Sequence, residues 1–299
     1  MNTLKYEAEM ALHVMQWNAR GLRANMHEFK NYLYKTNKAP DLICIDETYL
    51  NEKYTPKIDG YTILRRDNPR HCAGGIAVMI KKNINHTVIQ LEDTTGIEQL
   101  GVEINTSRGK IKIINIYFPP SNTIAKDQLS KIFPNSRTII VGDLNAHNKN
   151  WRCTYNNSRG TDVAEIVQEK ELVVLNTGQH TPIPKVNSTN NSVIDLAITT
   201  KDIALRCNHT VVSTTLGSDH KVMLTTLDED VHTENQSGLH RWNLKRADWK
   251  TYKENSKYKI NNDIITDNIE DTLKNFMTSL DEVAATAIPE RKIINKKRK

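Results

Sequence analysis

Between residues 13 and 227 the chain is written almost entirely in short apolar runs punctuated by turn residues, and that rhythm constrains the fold more than any other feature. Roughly a dozen runs of strand length recur, several of them β-branched, whereas helical spacing is rare. The strands are read at His13 to Asn18, Asp41 to Ile45, Tyr61 to Leu64, Gly75 to Ile80, Val88 to Leu91, Glu98 to Ile104, Lys110 to Tyr117, Ile139 to Val141, Leu172 to Leu175, Ser192 to Ile198, Val211 to Ser213 and Val222 to Thr226. Asn105 to Gly109 supplies a hairpin turn. Helices are read over 25–37 and 125–132, and a third opens with Thr161 as its N-cap. Helices this few cannot alternate with every strand, so the expected class is α/β with two packed mixed β-sheets flanked by outer helices.

The 299 residues allow one large domain or two modest ones. Three regions are expected: a polar leader over 1–12, the strand-rich region 13–227, and a different tail over 228–299. The tail begins with the polar linker Asp228 to Gly238, continues through helical stretches at 249–257 and 266–287, and ends in Arg291 to Lys299 with six basic residues and no acid. Lys296 to Lys299 reads either as an import or DNA-contacting run or as a plain polar end.

Composition then excludes several classes. With 38% hydrophobic residues and clear apolar runs, the chain is not disordered throughout. A net charge of +6 favours a polyanionic partner without identifying one. Cys44, Cys72, Cys153 and Cys207 are far apart with no CxxC, which excludes zinc-finger spacing and fits a reducing compartment. No run reaches the length of a membrane span, and the N-terminus lacks a signal-peptide core, so neither a membrane partner nor secretion is expected.

Polar groups stand where strands end. Asn18, Glu47, Tyr117, Asp143 with Asn145, and Asp219 with His220 each follow an apolar run. Asp143 and Asn145 are two apart, so on an extended chain they share a side. Asp195 lies inside Val-Ile-Asp-Leu-Ala-Ile, where a buried carboxylate requires a partner. Carboxylates, asparagines and a histidine suit Mg²⁺-assisted phosphodiester hydrolysis. Hard Mg²⁺ prefers oxygen ligands, a base must aim water at phosphorus, and a cation must meet the phosphate oxygens.

Six motifs occur in register: Trp17-Asn18-Ala-Arg-Gly21, Asp46-Glu47-Thr48, Asn115-Ile-Tyr117-Phe-Pro-Pro120, Gly142-Asp143-Leu-Asn145, Ile194-Asp195-Leu196 and Ser218-Asp219-His220. Together they resemble the endonuclease/exonuclease/phosphatase superfamily over about residues 13 to 227, which implies a deoxyribonuclease-like four-layer α/β sandwich. Within it the resemblance runs to the apurinic-endonuclease-like endonucleases of LINE-type non-LTR retrotransposons. Trp151-Arg152 followed by Ser158-Arg159-Gly160 is the pattern of their insect-type branch, and Arg241 to Trp249 is similar to the spacer that precedes a reverse transcriptase.

The resemblance implies a role for each position. Glu47 would bind the metal, with Asn18 beside it and Asp219 contributing. Asp143 would align or activate the attacking water, Asn145 would hold the phosphate and position Asp143, and Tyr117 would contact the phosphate or the leaving oxygen. His220 would bind the scissile phosphate, oriented by Asp195. Arg20, Arg23, Arg152 and Arg159 are candidates for a phosphate track. The implied cofactor is Mg²⁺, with Mn²⁺ as an alternative. The implied partners are double-stranded DNA, a reverse transcriptase of the same polyprotein and the element RNA, with action in the nucleus after synthesis in the cytoplasm. Target preference is expected from Lys110 to Ile113 and the 176–192 loop. One departure stands out: the family usually has Gln where this chain has Asp46, a charge that either perturbs the metal ligand or points away from it. Rival readings are a phosphatase or lipid phosphodiesterase of the same superfamily and a non-enzymatic DNA-binding remnant.

Overall fold

The computed structural model describes residues 11–36, 38–69, 73–92, 94–133, 136–184, 190–233 and 243–289. The chain divides into two compact units, Met1–Glu234 and Asn235–Lys299. The first opens with β1 (Leu12–Asn18), α1 (Met26–Lys35), β2 (Leu42–Asp46), β3 (Tyr61–Arg66), β4 (Ile76–Lys81), β5 (His86–Ile89), β6 (Glu98–Thr106) and β7 (Gly109–Tyr117). It continues with α2 (Lys126–Lys131), β8 (Thr138–Asp143), α3 (Ser158–Glu169), β9 (Leu172–Val174), β10 (Asp195–Thr200), the one-turn α4 (Lys201–Ala204), β11 (Cys207–Val211) and β12 (Met223–Leu227).

The strands form two mixed six-stranded sheets. Their orders are β11-β12-β1-β2-β4-β3 and β5-β6-β7-β8-β10-β9. Their inner faces meet in an aliphatic core that includes Val14, Cys44 and Val78 from the first sheet and Val102, Ile113 and Val141 from the second. Every one of these is essentially inaccessible to water, and each such Val or Ile contributes about 1.5–3 kcal/mol. Helix α1 covers the outer face of the first sheet, where Phe29 stacks on Trp17 with centroids 5.6 Å apart. Helix α3 covers the outer face of the second through Val163 and Ile166. The four layers are the sandwich expected from the motifs.

Three local readings are corrected. Helix α3 begins at Ser158, not at Thr161; Asn157 caps it by accepting from the Gly160 amide at 2.7 Å, and the Thr161 hydroxyl turns back to Asn157 O. Ser-Arg-Gly reads as a loop, but Gly160 is needed inside the helix because a Cβ there would lie 1.9 Å from His147 O. The strand read at 211–213 is β11, four residues earlier and in register with β12 (Val211 opposite Met223); its polar residues Asn208, His209 and Thr210 hid it. The strand read from Ser192 starts at Asp195.

The second unit contains α5 (Trp249–Lys259) and α6 (Ile269–Ala287). Asp248 caps α5, accepting from the amides of Lys250 and Thr251 at 3.1 Å each. Ala247, Tyr252, Ala284, Ala287 and Ile288 form its small core. Arg241, Trp242 and the basic run to Lys299 lie outside the described residues, as do most of the polar leader and residues 185–189. Among the described residues no helix is long and apolar enough to cross a membrane.

Candidate active site

Strand direction gathers the polar residues at one end of the sandwich. Parallel β1 and β2 place Asn18 opposite Asp46, antiparallel β8 and β10 place Asp143 opposite Asp195, and antiparallel β6 and β7 place Glu98 opposite Tyr117. His220 enters the same end from the loop before β12.

Asn18 is the hub. It is 1% exposed, and its Nδ2 donates to Glu47 Oε1 and to Asp143 Oδ2, each at 2.9 Å. Its own Oδ1 accepts from the Arg20 amide at 3.1 Å, and its carbonyl accepts from Ser218 Oγ at 2.7 Å. Glu47 follows β2 in a left-handed conformation (φ 48°), as do Arg20, Tyr49 and Asn145 at φ 43°, 50° and 49°. Non-glycine residues rarely take this conformation, and they persist there only where surrounding bonds fix them. At Glu47 the turn separates two neighbouring acids: Asp46 is fully buried, while Glu47 lines a cleft of about 620 Å³ shared with Arg20, Tyr49, Tyr117, Asp219 and His220. The Tyr49 hydroxyl donates to Glu47 Oε2.

Asp143 is placed by a glycine. Gly142 has φ 146°, and a Cβ there would lie 1.9 Å from Ile116 O, so only glycine lets β8 press this closely on β7. The Asp143 carboxyl is 2% exposed. Burial, then the charge of Asp195, push it up to about 7, against the opposing pull of His220, the Asn145 amide and Asn18. Asp195 is completely buried, and its backbone amide donates to Thr181 Oγ1. Its Oδ2 lies 2.7 Å from His220 Nδ1. Burial disfavours a charged His220, but the charge and hydrogen bond of Asp195 outweigh it and lift the ring to about 10. Burial and then the charges of Glu47 and Asp143 raise the Tyr117 hydroxyl, so it remains a neutral donor.

The donor set fits a hard divalent cation. Glu47 and Asp219 present carboxylate oxygens to the cleft, Asn18 lies beside them, and Glu47 has no Lys or Arg ion-pair partner among the described residues. A second cluster, Asp143, Asp195 and His220, brings ligand atoms within 4.8 Å of one another. In that cluster His220 Nδ1 already bonds Asp195, which leaves Glu47 as the better-placed carboxylate for the cleft.

Other expected residues sit elsewhere. Arg20 pairs with Asp219 at the cleft rim. Arg159 does not face the cleft: its guanidinium donates to the carbonyls of Phe118, Leu144, Pro119 and Asn122 and lies 3.5 Å over the Phe118 ring. Arg152 ends a 3₁₀ turn in a left-handed conformation, and its stem packs against Gly178, also away from the cleft. Asn145 has left the strand, so alternation does not aim it; its amide donates to Asp143 Oδ1 at 3.0 Å and its Nδ2 to Phe118 O at 3.2 Å. Lys110 to Ile113 fall at the far end of β7 from Tyr117, with Ile111 and Ile113 buried between the sheets. Within the 176–192 loop, Pro182 bridges to His220 and the Ile183 amide donates to Asp219 O at 2.6 Å. Tyr49 and Thr181 were not singled out from sequence, since a turn tyrosine and a loop threonine carry no chemical signal of their own.

Comparison with known proteins agrees with the geometry. Residues 111–224 match a family model described as endonuclease-reverse transcriptase. A probable RNA-directed DNA polymerase from transposon X-element of Drosophila melanogaster is 28% identical over 223 residues, covering 73% of this chain and 24% of that protein. The RNA-directed DNA polymerase from mobile element jockey of the same species is 27% identical over 173 residues, covering 57% and 19%. The chain thus spans about a quarter or less of the length of these curated relatives. Among solved structures, the endonuclease domain of TRAS1, a telomere-specific non-LTR retrotransposon, superposes with a TM-score of 0.58 at 19% identity, covering 73% of this chain and 98% of that one. An AP endonuclease from Archaeoglobus fulgidus gives 0.56 at 15% identity, covering 73% and 99%. These two likenesses carry the fold. Over residues 111–224 the chain is thus similar to the endonuclease-reverse transcriptase family, over about three quarters of its length to the polymerase of a Drosophila transposon, and in fold to the endonuclease domain of a non-LTR retrotransposon and to an AP endonuclease.

Proposed function

We propose that this chain nicks double-stranded DNA by Mg²⁺-dependent hydrolysis of one phosphodiester, leaving a 3′-hydroxyl. The observation that carries the reading is the double hydrogen bond of Asn18, which ties the cleft carboxylate Glu47 to the buried carboxylate Asp143. Glu47, with Asn18 and Asp219, would hold the cation. Mg²⁺ bound there would supply positive charge against the phosphate oxygens as the leaving oxygen departs. Asp143, held near neutrality by burial, accepts the proton of the attacking water, because a base is most effective when its pKa lies near the working pH. His220, kept protonated by Asp195, donates to a non-bridging phosphate oxygen. Tyr117 donates from the cleft wall toward the phosphate or the leaving oxygen, and Asn145 keeps Asp143 in place through its backbone amide.

 In bond terms, water adds to phosphorus opposite O3′, the P–O3′ bond breaks, and the products are a 3′-hydroxyl and a 5′-phosphate.

Non-specific phosphate contacts supply most of the affinity and make it salt-sensitive, and the segment around Pro182 and Ile183, beside His220 and Asp219, is placed to bias target choice. In a retroelement the new 3′-hydroxyl would prime reverse transcription in the nucleus. The names of the matched relatives, RNA-directed DNA polymerases of mobile elements, support a reverse transcriptase and the element RNA as partners. The test is to incubate the chain with supercoiled plasmid and Mg²⁺ and to map the cut ends, with inositol phosphates and sphingomyelin assayed in parallel. Open circles with 3′-hydroxyl ends and inert small substrates are expected. Hydrolysis of the phospholipid or inositol phosphates with intact plasmid would replace this reading with that of a phosphatase or lipid phosphodiesterase.

A further inference from the structure

The groups assigned to the reaction come from both sheets. Asn18 ends β1 and Glu47 follows β2 in the first sheet; Tyr117, Asp143 and Asp195 belong to β7, β8 and β10 in the second. The aliphatic core between the sheets is non-directional and does not by itself fix how one sheet end sits over the other. Directional bonds do, and besides the bond of Asn18 to Asp143 two buried residues without an assigned role supply further ones at this end. Asp46 Oδ2 accepts from the backbone amide of Asp143 at 2.8 Å, a bond from β2 to β8 across the sandwich. The same oxygen accepts from Gln16 Nε2 at 2.8 Å, and that Nε2 also reaches Asp195 Oδ1 at 3.3 Å, from β1 to β10. Both side chains are buried, Asp46 at 0% and Gln16 at 1% exposure, so neither can touch DNA.

We infer that Asp46 and Gln16 form an inter-sheet clamp, a pair of positioning residues that sets Asp143 and Asp195 on one sheet against Asn18 and Glu47 on the other. The inference rests on the reading under Proposed function for its kinetic consequence, though not for its geometry. It also gives the departure from glutamine at position 46 a role: the side chain points away from the cleft and grips the opposite sheet. Burying a carboxyl is costly unless it is hydrogen-bonded, and here both donors belong to the site's own scaffold. Asp46 Oδ1 and Gln16 Oε1 have no hydrogen-bond partner among the described residues, so the pair is not the arrangement that best satisfies its own polar atoms.

The test uses the full chain with Asp46→Ala, Asp46→Asn, Gln16→Leu and the double variant Asp46→Ala/Gln16→Leu. Three quantities are read: amide hydrogen exchange at Asp143, kcat and KM for plasmid nicking in Mg²⁺, and thermal melting. Asp46→Ala should speed exchange at the Asp143 amide at least about tenfold. It should lower kcat about 10- to 100-fold, the scale on which a misplacement of about 1 Å acts, with KM changed less than about twofold. Asp46→Asn keeps one oxygen that can accept from both the Asp143 amide and Gln16 Nε2, so its kcat and its exchange at Asp143 should stay much nearer wild type than those of Asp46→Ala. Gln16→Leu should lower kcat while the Asp143 amide stays protected. The double variant should be little worse than the more damaging single one, as residues acting as one unit are not additive.

Unchanged exchange and unchanged kcat in Asp46→Ala would overturn the clamp. So would a loss that appears in KM alone. Should Asp46→Ala fail to fold, Gln16→Leu decides by the same readouts: wild-type kcat in it would overturn the clamp. A wild-type chain that does not nick would defeat the proposed function, whereas amide exchange would still judge the clamp.

Discussion

His220 Nδ1 lies 2.7 Å from Asp195 Oδ2, with the carboxylate completely buried and the imidazole 10% exposed. That contact joins a loop before β12 to the first residue of β10, and it holds the ring's protonated form up to a pKa of about 10.

A pH profile follows from the raised value. If a protonated His220 donates to the phosphate, activity persists below about 10 and falls as pH rises through it. Asp195→Asn removes the charge that raises the ring, so the alkaline limb of kcat/KM should move down by at least about one pH unit. The rate at neutral pH should also fall about 10- to 100-fold, as for other carboxylate partners that orient a histidine. Profiles of both proteins between pH 6 and 10.5, the range being set by the shift at issue, check this.

Asn18→Ala removes the donor shared by Glu47 and Asp143. Two carboxylates are then left without their common partner beside the cleft. The expected result is a rise in the Mg²⁺ concentration needed for half-maximal nicking together with a fall in maximal rate of about 100-fold, the usual scale for losing a polar group that orients catalytic side chains. A Mg²⁺ titration of nicking rate separates the two effects.

The layers and most strand positions were legible because the inner faces are nearly continuous apolar runs; β2 and β8, for example, are buried along their whole length. Asp195 was legible for the converse reason, as a carboxylate in an apolar strand that had to have a partner. β11 was not, since Asn208, His209 and Thr210 carry no strand signal and it is pairing with β12 that makes them a strand. The surroundings of Arg159 were not legible, because sequence shows a positive charge but not the four carbonyls that its guanidinium meets. Gln16 passed as one polar residue in an alternating strand, and its partners lie 30 and 179 positions away.

Arg159 should matter to stability. Its four hydrogen bonds need the planar fork of a guanidinium, which an ammonium cannot reproduce. Arg159→Lys should cost about 2–4 kcal/mol, mostly through carbonyls left without donors. Urea unfolding at neutral pH measures it, with the midpoint falling and the slope unchanged.

His209 supplies an acid-stability prediction independent of the active site. It is 8% exposed, and burial pushes its pKa down to about 4, with Nδ1 at 2.9 Å from Thr225 Oγ1. Below the ordinary histidine value the unfolded chain takes up a proton that the folded chain refuses, so stability falls as pH drops through 6.5 toward 4. His209→Gln removes that proton uptake. The stability lost between pH 7 and about 4.5 should be smaller in the variant by about 2 kcal/mol, as read from urea midpoints at the two pH values.

Glu47 and His220 line one cleft, Asp143 lies buried beside it on Asn18, and one reaction is assigned to all three. The most direct measurement is the conversion of supercoiled plasmid to open circles by wild type and by Asp143→Ala, each with Mg²⁺ and with EDTA, alongside a melting curve for both proteins. Nicking by wild type in Mg²⁺ alone, and a loss of at least about 1000-fold in a folded Asp143→Ala, are predicted. Undiminished nicking by Asp143→Ala, or wild-type nicking that ignores EDTA, would contradict the account.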